Sequence, residues 1–228
     1  MVMVPSHSQL LHLALCAQRQ SIFNAGRSSL VAHALRTRIL PRHCTSSQSD
    51  NNGTGVTKTS TKPTLGSKLT FTSIIEKKQM PSRDFEGKAV LVVNTASLCG
   101  LTPQLKELEL MYRRFRDDGL VVLGVPSNDF GEQEPWDEPK IREFYHKEFG
   151  VTFPLTCKTR VLGPEAHPFY STAVEEFGPD VGPQWNFHKL LVGPDGTLSG
   201  VFGSNLSPLE PDVTDAIENT LPGRRDAA

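Results

Sequence analysis

Four cysteines set the chemical question in this chain of 228 residues, because a thiolate is the strongest side-chain nucleophile available near neutral pH. Cys16 and Cys44 lie in an N-terminal stretch unlike the rest, which leaves Cys99 and Cys157 in the body. Two thiols do not make a disulfide scaffold, and there is no CxxC pair or Cys/His cluster at zinc spacing. If these thiols matter, they matter as reactive groups. Cys99 follows a short apolar run and precedes a helical pattern that starts near Thr102. The unpaired N–H groups of a first helical turn, together with the helix dipole, favour an anion there and lower a thiol's pKa. An ordinary thiol is only ~3% ionised at pH 7, and a depression of two pH units, worth about 2.7 kcal/mol, makes it mostly thiolate. Position alone allows an equally common role for Cys99, that of a small buried hydrophobe.

The elements that would hold Cys99 are legible from periodicity. A hairpin is expected over Thr70 to Phe85, followed by a buried central strand at Lys88-Ala-Val-Leu-Val-Val-Asn94. A helix then opens at Pro103, carries Leu105, Leu108, Met111, Tyr112 and Phe115 at three- and four-residue steps, and stops at Gly119. Leu120-Val-Val-Leu-Gly-Val-Pro126 is a second buried strand, so the strand, helix and strand predict a right-handed βαβ unit with parallel strands. Further helices are expected over Glu138 to Phe149, Glu165 to Phe177 and Pro208 to Leu221. Between the last two, Phe187 to Val192 and Thr197 to Phe202 flank the turn Gly193-Pro-Asp-Gly196 as an antiparallel hairpin. A βαβ half followed by a ββα half is the thioredoxin plan: an α/β fold with a central mixed sheet flanked by helices.

Charge divides the chain into residues 1–64 and 65–228. Before Asp50 there are five arginines, Arg19, Arg27, Arg36, Arg38 and Arg42, with no lysine and no carboxylate, so the remainder is net acidic. Leu30, Val31, Ala34, Leu35 and Ile39 fall at helical spacing within Ser28 to Leu40, which reads as a basic amphipathic helix of a cleaved organelle transit peptide. The Ser- and Thr-rich segment from Thr45 to Lys68 has little to bury and reads as a flexible linker. The expected destination is a mitochondrion or a chloroplast. An acidic body argues against nucleic acid, and no apolar run approaches the ~20 residues of a membrane span.

Four strings, Asn94-Thr-Ala-Ser-Leu-Cys-Gly-Leu-Thr102, Pro126-Ser-Asn-Asp-Phe-Gly-Glu-Gln-Glu-Pro135, Val151-Thr-Phe-Pro154 and Trp185-Asn-Phe187, in this order and separation, closely resemble the glutathione peroxidase family. The resemblance covers about Phe71 to Leu221. It implies a thioredoxin-like enzyme that reduces hydrogen peroxide and organic or lipid hydroperoxides through a sulfenic acid on Cys99, re-reduced by glutathione or thioredoxin, with no bound cofactor. It implies Trp185 and Asn186 as helpers, roles their chemistry suits, since an indole N–H and an amide donate hydrogen bonds without bringing charge. The short stretch between Tyr170 and Trp185 resembles the short-loop branch and implies a monomer.

The chain departs from the family's pattern at two points. Asp129 stands where the family usually carries a catalytic Gln. At ~4 Å an ionised carboxylate would repel the thiolate by ~4 kcal/mol at an effective dielectric near 20, more than a helix end supplies. Asp129 is therefore protonated, turned toward a donor, or the acceptor of the thiol proton, and Gln133 is a secondary candidate for the missing amide. The helix position that carries a resolving cysteine in thioredoxin-using members looks like Tyr145, leaving Cys157 as the possible resolving thiol. His167, Lys158 and Arg160 are possible anion contacts. The alternative to an enzyme is a thiol peroxide sensor that relays oxidation to a partner protein; sustained turnover with an excess of reductant separates the two.

Overall fold

A computed structural model describes residues 64–223 and, ahead of them, the backbone of a strand at Thr37–Ile39. Its elements in chain order are β1 (Thr37–Ile39), β2 (Phe71–Thr72), β3 (Gln79–Met80), β4 (Ala89–Thr95), α1 (Gln104–Phe115), β5 (Leu120–Pro126), α2 (Glu138–Phe149), α3 (Pro168–Phe177), β6 (Lys189–Val192), β7 (Leu198–Phe202) and α4 (Pro211–Thr220). The main sheet has the order β1-β7-β6-β4-β5, and β2 with β3 forms a separate hairpin. β4 and β5 run parallel, in register from Ala89 opposite Leu120 to Thr95 opposite Pro126. The other pairings are antiparallel, so the sheet is mixed as the element order predicts.

Strand β4 reads as uniformly apolar because both of its faces are covered. Ala89, Leu91 and Val93 pack with α1, α2 and α4, whereas Val90 and Val92 pack with α3 and the segment before β4. Fully burying one such side chain contributes roughly 1.5–3 kcal/mol. The strand therefore fixes the height at which the chain emerges at Asn94 and Thr95. In β5, Gly124 leaves room for the next segment: a Cβ there would meet Leu155 at 2.6 Å and Phe153 at 3.0 Å. Leu155 pairs beside it in parallel, which brings the Cys157 segment along the outer edge of β5.

Helix α1 buries Leu105, Leu108, Met111 and Phe115 and gives way, after a short 3-10 turn at Arg116–Asp118, to Gly119 at φ 96°. Helix α2 has the expected bounds, with the Asp137 carboxylate accepting from the Lys140 N–H at 3.2 Å and Gly150 left-handed at its end. Helix α3 starts three residues later than expected, because the His167 ring caps the Phe169 N–H and Pro168 takes the first helical position. Helix α4 likewise begins at Pro211 instead of Pro208. The amphipathic helix expected over Ser28 to Leu40 is contradicted at its end. Thr37–Ile39 is a strand on the edge of β7, where open backbone groups of the sheet edge accept a segment rich in β-branched residues. The rest of the leader lies outside the described residues.

Candidate active site

The chain leaves β4 and closes a turn before α1 begins. The Thr102 hydroxyl donates to the Ala96 carbonyl at 2.9 Å and accepts the Cys99 N–H at 3.1 Å, while the Thr102 N–H donates to the Cys99 carbonyl at 3.0 Å. The Leu101 N–H reaches the Cys99 Sγ at 3.4 Å. α1 proper starts only at Gln104, so the N–H beside the sulfur belongs to this preceding turn and not to the helix's first turn, as the sequence suggested. Cys99 is 6% exposed, and its neighbour Leu98 is 42% exposed. The sulfur thus lies just beneath an apolar surface.

Trp185 and Asn186 sit in a turn held in an unfavourable shape. Phe187, fully buried and not a glycine, has φ +65°. Its N–H donates to the Asn94 carbonyl at 2.6 Å, the Asn94 amide donates to the Trp185 carbonyl at 3.0 Å, and the His188 N–H donates to Asn94 Oδ1 at 3.1 Å. The Lys189 ammonium, with no solvent exposure, donates to the carbonyls of Phe187 and Leu206, both at 2.8 Å. Burial lowers its pKa to about 7, against the opposing pull of Glu107. Asn94 and Lys189 therefore over-determine the turn, which is what lets a strained residue persist. The half-buried Trp185 ring leans on Phe130 at 5.7 Å between centroids, and its indole N–H is buried with no hydrogen-bond partner among the described residues.

Gln133 joins the two turns. Its carbonyl accepts the Leu98 N–H at 3.0 Å, one residue before Cys99, and its side-chain oxygen accepts from the Asn186 amide at 2.8 Å. Two consecutive left-handed residues, Gly131 at φ 62° and Glu132 at φ 53°, swing the chain into this path. The next residue, Glu134, is fully buried. One of its oxygens accepts from the Ser97 hydroxyl and from the Tyr145 hydroxyl, each at 2.9 Å, and burial pushes its pKa up to about 7.

The other sequence candidates lie away from this junction. Asp129 is turned toward donors: one carboxylate oxygen accepts the N–H groups of Val161 at 2.6 Å and Leu162 at 3.0 Å, and the other is 3.7 Å from the Arg160 guanidinium. This is the second of the three arrangements considered above. Cys157 hangs between β2 and the 155–159 segment, its thiol donating to the Ser73 carbonyl at 3.4 Å with the Lys77 ammonium at 3.7 Å. Tyr145, at the position of the family's resolving cysteine, is buried in α2 and bonded to Glu134. Lys158 donates to the carbonyls of Glu134 and Trp136, and His167 is spent as the cap of α3. Arg160 also pairs with Glu165 at 3.0 Å. Sequence reasoning missed Glu134 and Lys189, although a lysine inside a buried strand and a carboxylate inside the Gly-x-Gln-Glu-Pro turn were both visible.

Comparison with known proteins bears on the assignment. The family model described as Glutathione peroxidase matches residues 69–173. The glutathione peroxidase-like peroxiredoxin GPX5 of Chlamydomonas reinhardtii is 43% identical over 147 residues, spanning 62% of this chain and 90% of the algal protein. The chain belongs to the glutathione peroxidase family. The hydroperoxy fatty acid reductase gpx1 of Synechocystis sp. is 45% identical over 136 residues, 56% of this chain and 80% of that protein. The crystal structure of Trgpx in apo form superimposes with a TM-score of 0.54 at 32% identity, over 71% of this chain and all of the other. T. cruzi GPX1, at 24% identity and a TM-score of 0.56 over 72% of this chain and 99% of that one, shares the fold. This member of the family is therefore a thioredoxin-fold oxidoreductase, and membership implies chemistry without a prosthetic group.

Proposed function

We propose that this protein is a thiol peroxidase in which Cys99 attacks hydrogen peroxide and organic or lipid hydroperoxides, with Trp185 and Asn186 as the groups that receive the developing charge. The thiolate attacks the distal oxygen, the O–O bond breaks and the alkoxide leaves and takes a proton, so that thiolate, ROOH and one proton become the sulfenic acid and ROH. A thiol then condenses with the sulfenic acid, releasing water, and a second thiol restores Cys99. The observation that carries this reading is the Gln133 bridge, which ties the Leu98–Cys99 turn to Asn186 while the neighbouring Trp185 keeps a buried indole N–H without a protein acceptor. A donor kept dry and uncommitted costs folding energy and is useful where a charged oxygen arrives. The exposed Leu98 next to Cys99, with the half-buried Trp185, suits an apolar hydroperoxide tail. The fatty-acid activity named for the Synechocystis relative supports the same substrate class.

The reductant is glutathione or thioredoxin, and the chain works as a monomer. Residues 65–228 form the peroxidase domain. Residues 1–64, acid-free up to Asp50, form a leader and linker that send it to a mitochondrion or chloroplast. Asp129 acts as a brace for the 160–162 turn and not as a base, and Cys157, the other thiol of the body, would resolve Cys99 through a movement of the 155–159 segment. The deciding experiment follows NADPH consumption by residues 65–228 with a fatty-acid hydroperoxide and either the glutathione or the thioredoxin recycling system. Turnover with one system supports the enzyme and names its reductant. Substantial rates with neither refute it.

A further inference from the structure

Behind the Cys99 turn lies a closed polar pocket in the fold that no step above uses. Thr95 of β4, Ser97 of the turn, Glu134, and Tyr145 of α2 are all buried, with exposures of 0, 4, 0 and 0%. The Glu134 carboxyl is its hub: one oxygen receives both the Ser97 and Tyr145 hydroxyls, and the other has no partner among the described residues. The backbone on either side is fixed as well, since the Glu134 N–H donates to Asn128 Oδ1 at 2.8 Å and its carbonyl receives Lys158 at 3.4 Å. The residue before it holds Leu98 and Asn186. The nucleophile's turn is thus tied to the helper turn and to α2 through two adjacent residues, and the carboxyl among these ties has no cation at its oxygens among the described residues.

We infer that Glu134 is a positioning residue for the peroxide step: in its protonated form it keeps Ser97, and through it Cys99, in register with Trp185 and Asn186, and its ionisation, which strengthens the hydroxyl bonds and draws Ser97 toward the carboxylate, shifts that register. Its burial keeps the proton on to about pH 7, within the range in which such an enzyme works. The groups that face it are Thr95, Ser97, Tyr145, whose phenol burial pushes far up, and the Lys158 ammonium on its carbonyl side, so Glu134 is the group whose charge changes near neutrality. Once ionised, the carboxylate must draw in water or pull its hydroxyl donors over, and Ser97 is two residues from the sulfur.

The inference rests on Cys99 as the nucleophile, so the test reads the thiol itself as well as turnover. In the full-length reduced protein, rates of hydroperoxide reaction and of iodoacetamide alkylation at Cys99 are measured between pH 5.5 and 8.5 and divided by the thiolate fraction from ultraviolet absorbance. The parent's normalised peroxide rate is expected to fall three- to ten-fold between pH 6 and 8. Glu134→Gln, whose amide oxygen still accepts both hydroxyls, is expected to match the parent within about three-fold at pH 6 and to lose that fall. Glu134→Ala and Ser97→Ala, checked by circular dichroism for folding, are expected to be at least five-fold slower throughout. A parent profile that is flat after normalisation, or one that Glu134→Gln reproduces, overturns the inference. If Cys99 alkylates yet the parent itself does not react with peroxide, the peroxidase reading fails and the positioning role falls with it, whereas a reactive parent with a flat normalised profile overturns the positioning role alone.

Discussion

The two thiols of the body are embedded in opposite ways. The Cys99 sulfur accepts a hydrogen bond from the Leu101 N–H, whereas the Cys157 sulfur donates one to the Ser73 carbonyl and accepts one from the Lys77 ammonium at 3.7 Å. An N–H beside sulfur stabilises the thiolate, and a carbonyl beside it stabilises the thiol. Cys157 has a cation within reach, but the Lys77 ammonium is already bonded to the Glu138 carboxylate at 2.8 Å. On the proposed reading, backbone direction, set by where a strand ends and a turn closes, singles out Cys99 as the nucleophile.

The sharpest way to break this contrast is to remove each sulfur in turn. Cys99→Ser should abolish peroxide reduction, more than a thousand-fold, with the melting temperature nearly unchanged, because a hydroxyl fills the volume and does not ionise near pH 7. Residual turnover above a trace would shift the role to Cys157. Next in size, Trp185→Phe should slow the peroxide step ten- to a thousand-fold in stopped-flow measurements, the range for losing one preorganised donor, while the ring still packs on Phe130. An unchanged rate would return Trp185 to the core.

Smaller effects sharpen the account at its edges. Asp129→Ala should cost about 1–3 kcal/mol in urea unfolding, since it strands the N–H groups of Val161 and Leu162, and should slow the peroxide step less than ten-fold. A hundred-fold loss of rate would instead make Asp129 the base. Stability should also record Glu134. The folded protein keeps that proton to about pH 7 while an ordinary carboxyl gives it up near 4.5, so the folded state binds more protons in that window. Stability should fall as pH rises from 4.5 to 7, by up to about 3 kcal/mol, and Glu134→Gln should remove this part of the slope. Smallest of all, Cys157→Ser should change the peroxide step less than two-fold, although it would stop thioredoxin-driven turnover if Cys157 resolves the sulfenic acid.

Much of this was legible in the sequence because the sheet is buried on both faces. β4 and β5 appear as uninterrupted apolar runs ending at Thr95 and Pro126, and the turns beyond them carry the polar residues. The bounds of α2 were readable from Asp137 before it and Gly150 after it. What could not be read was direction. Nothing local tells whether the Asp129 carboxylate meets the thiol or the 160–162 turn, because its donors are more than thirty residues away in sequence. The same holds for Lys189, whose strand looks ordinary until the carbonyls of Phe187 and Leu206 converge on its ammonium. The start of β1 inside an expected helix has a related cause: the edge of β7 that recruits Thr37–Ile39 is formed by residues far along the chain.

The central claim is that Cys99, and not Cys157, meets the peroxide. One equivalent of a fatty-acid hydroperoxide is added to the reduced protein, the reaction is quenched within milliseconds with a sulfenic-acid trap, and the peptides carrying each cysteine are weighed. The account predicts the trapped adduct on the Cys99 peptide, with the Cys157 peptide unmodified. A trap found first on Cys157, with Cys99 still reduced, would contradict it.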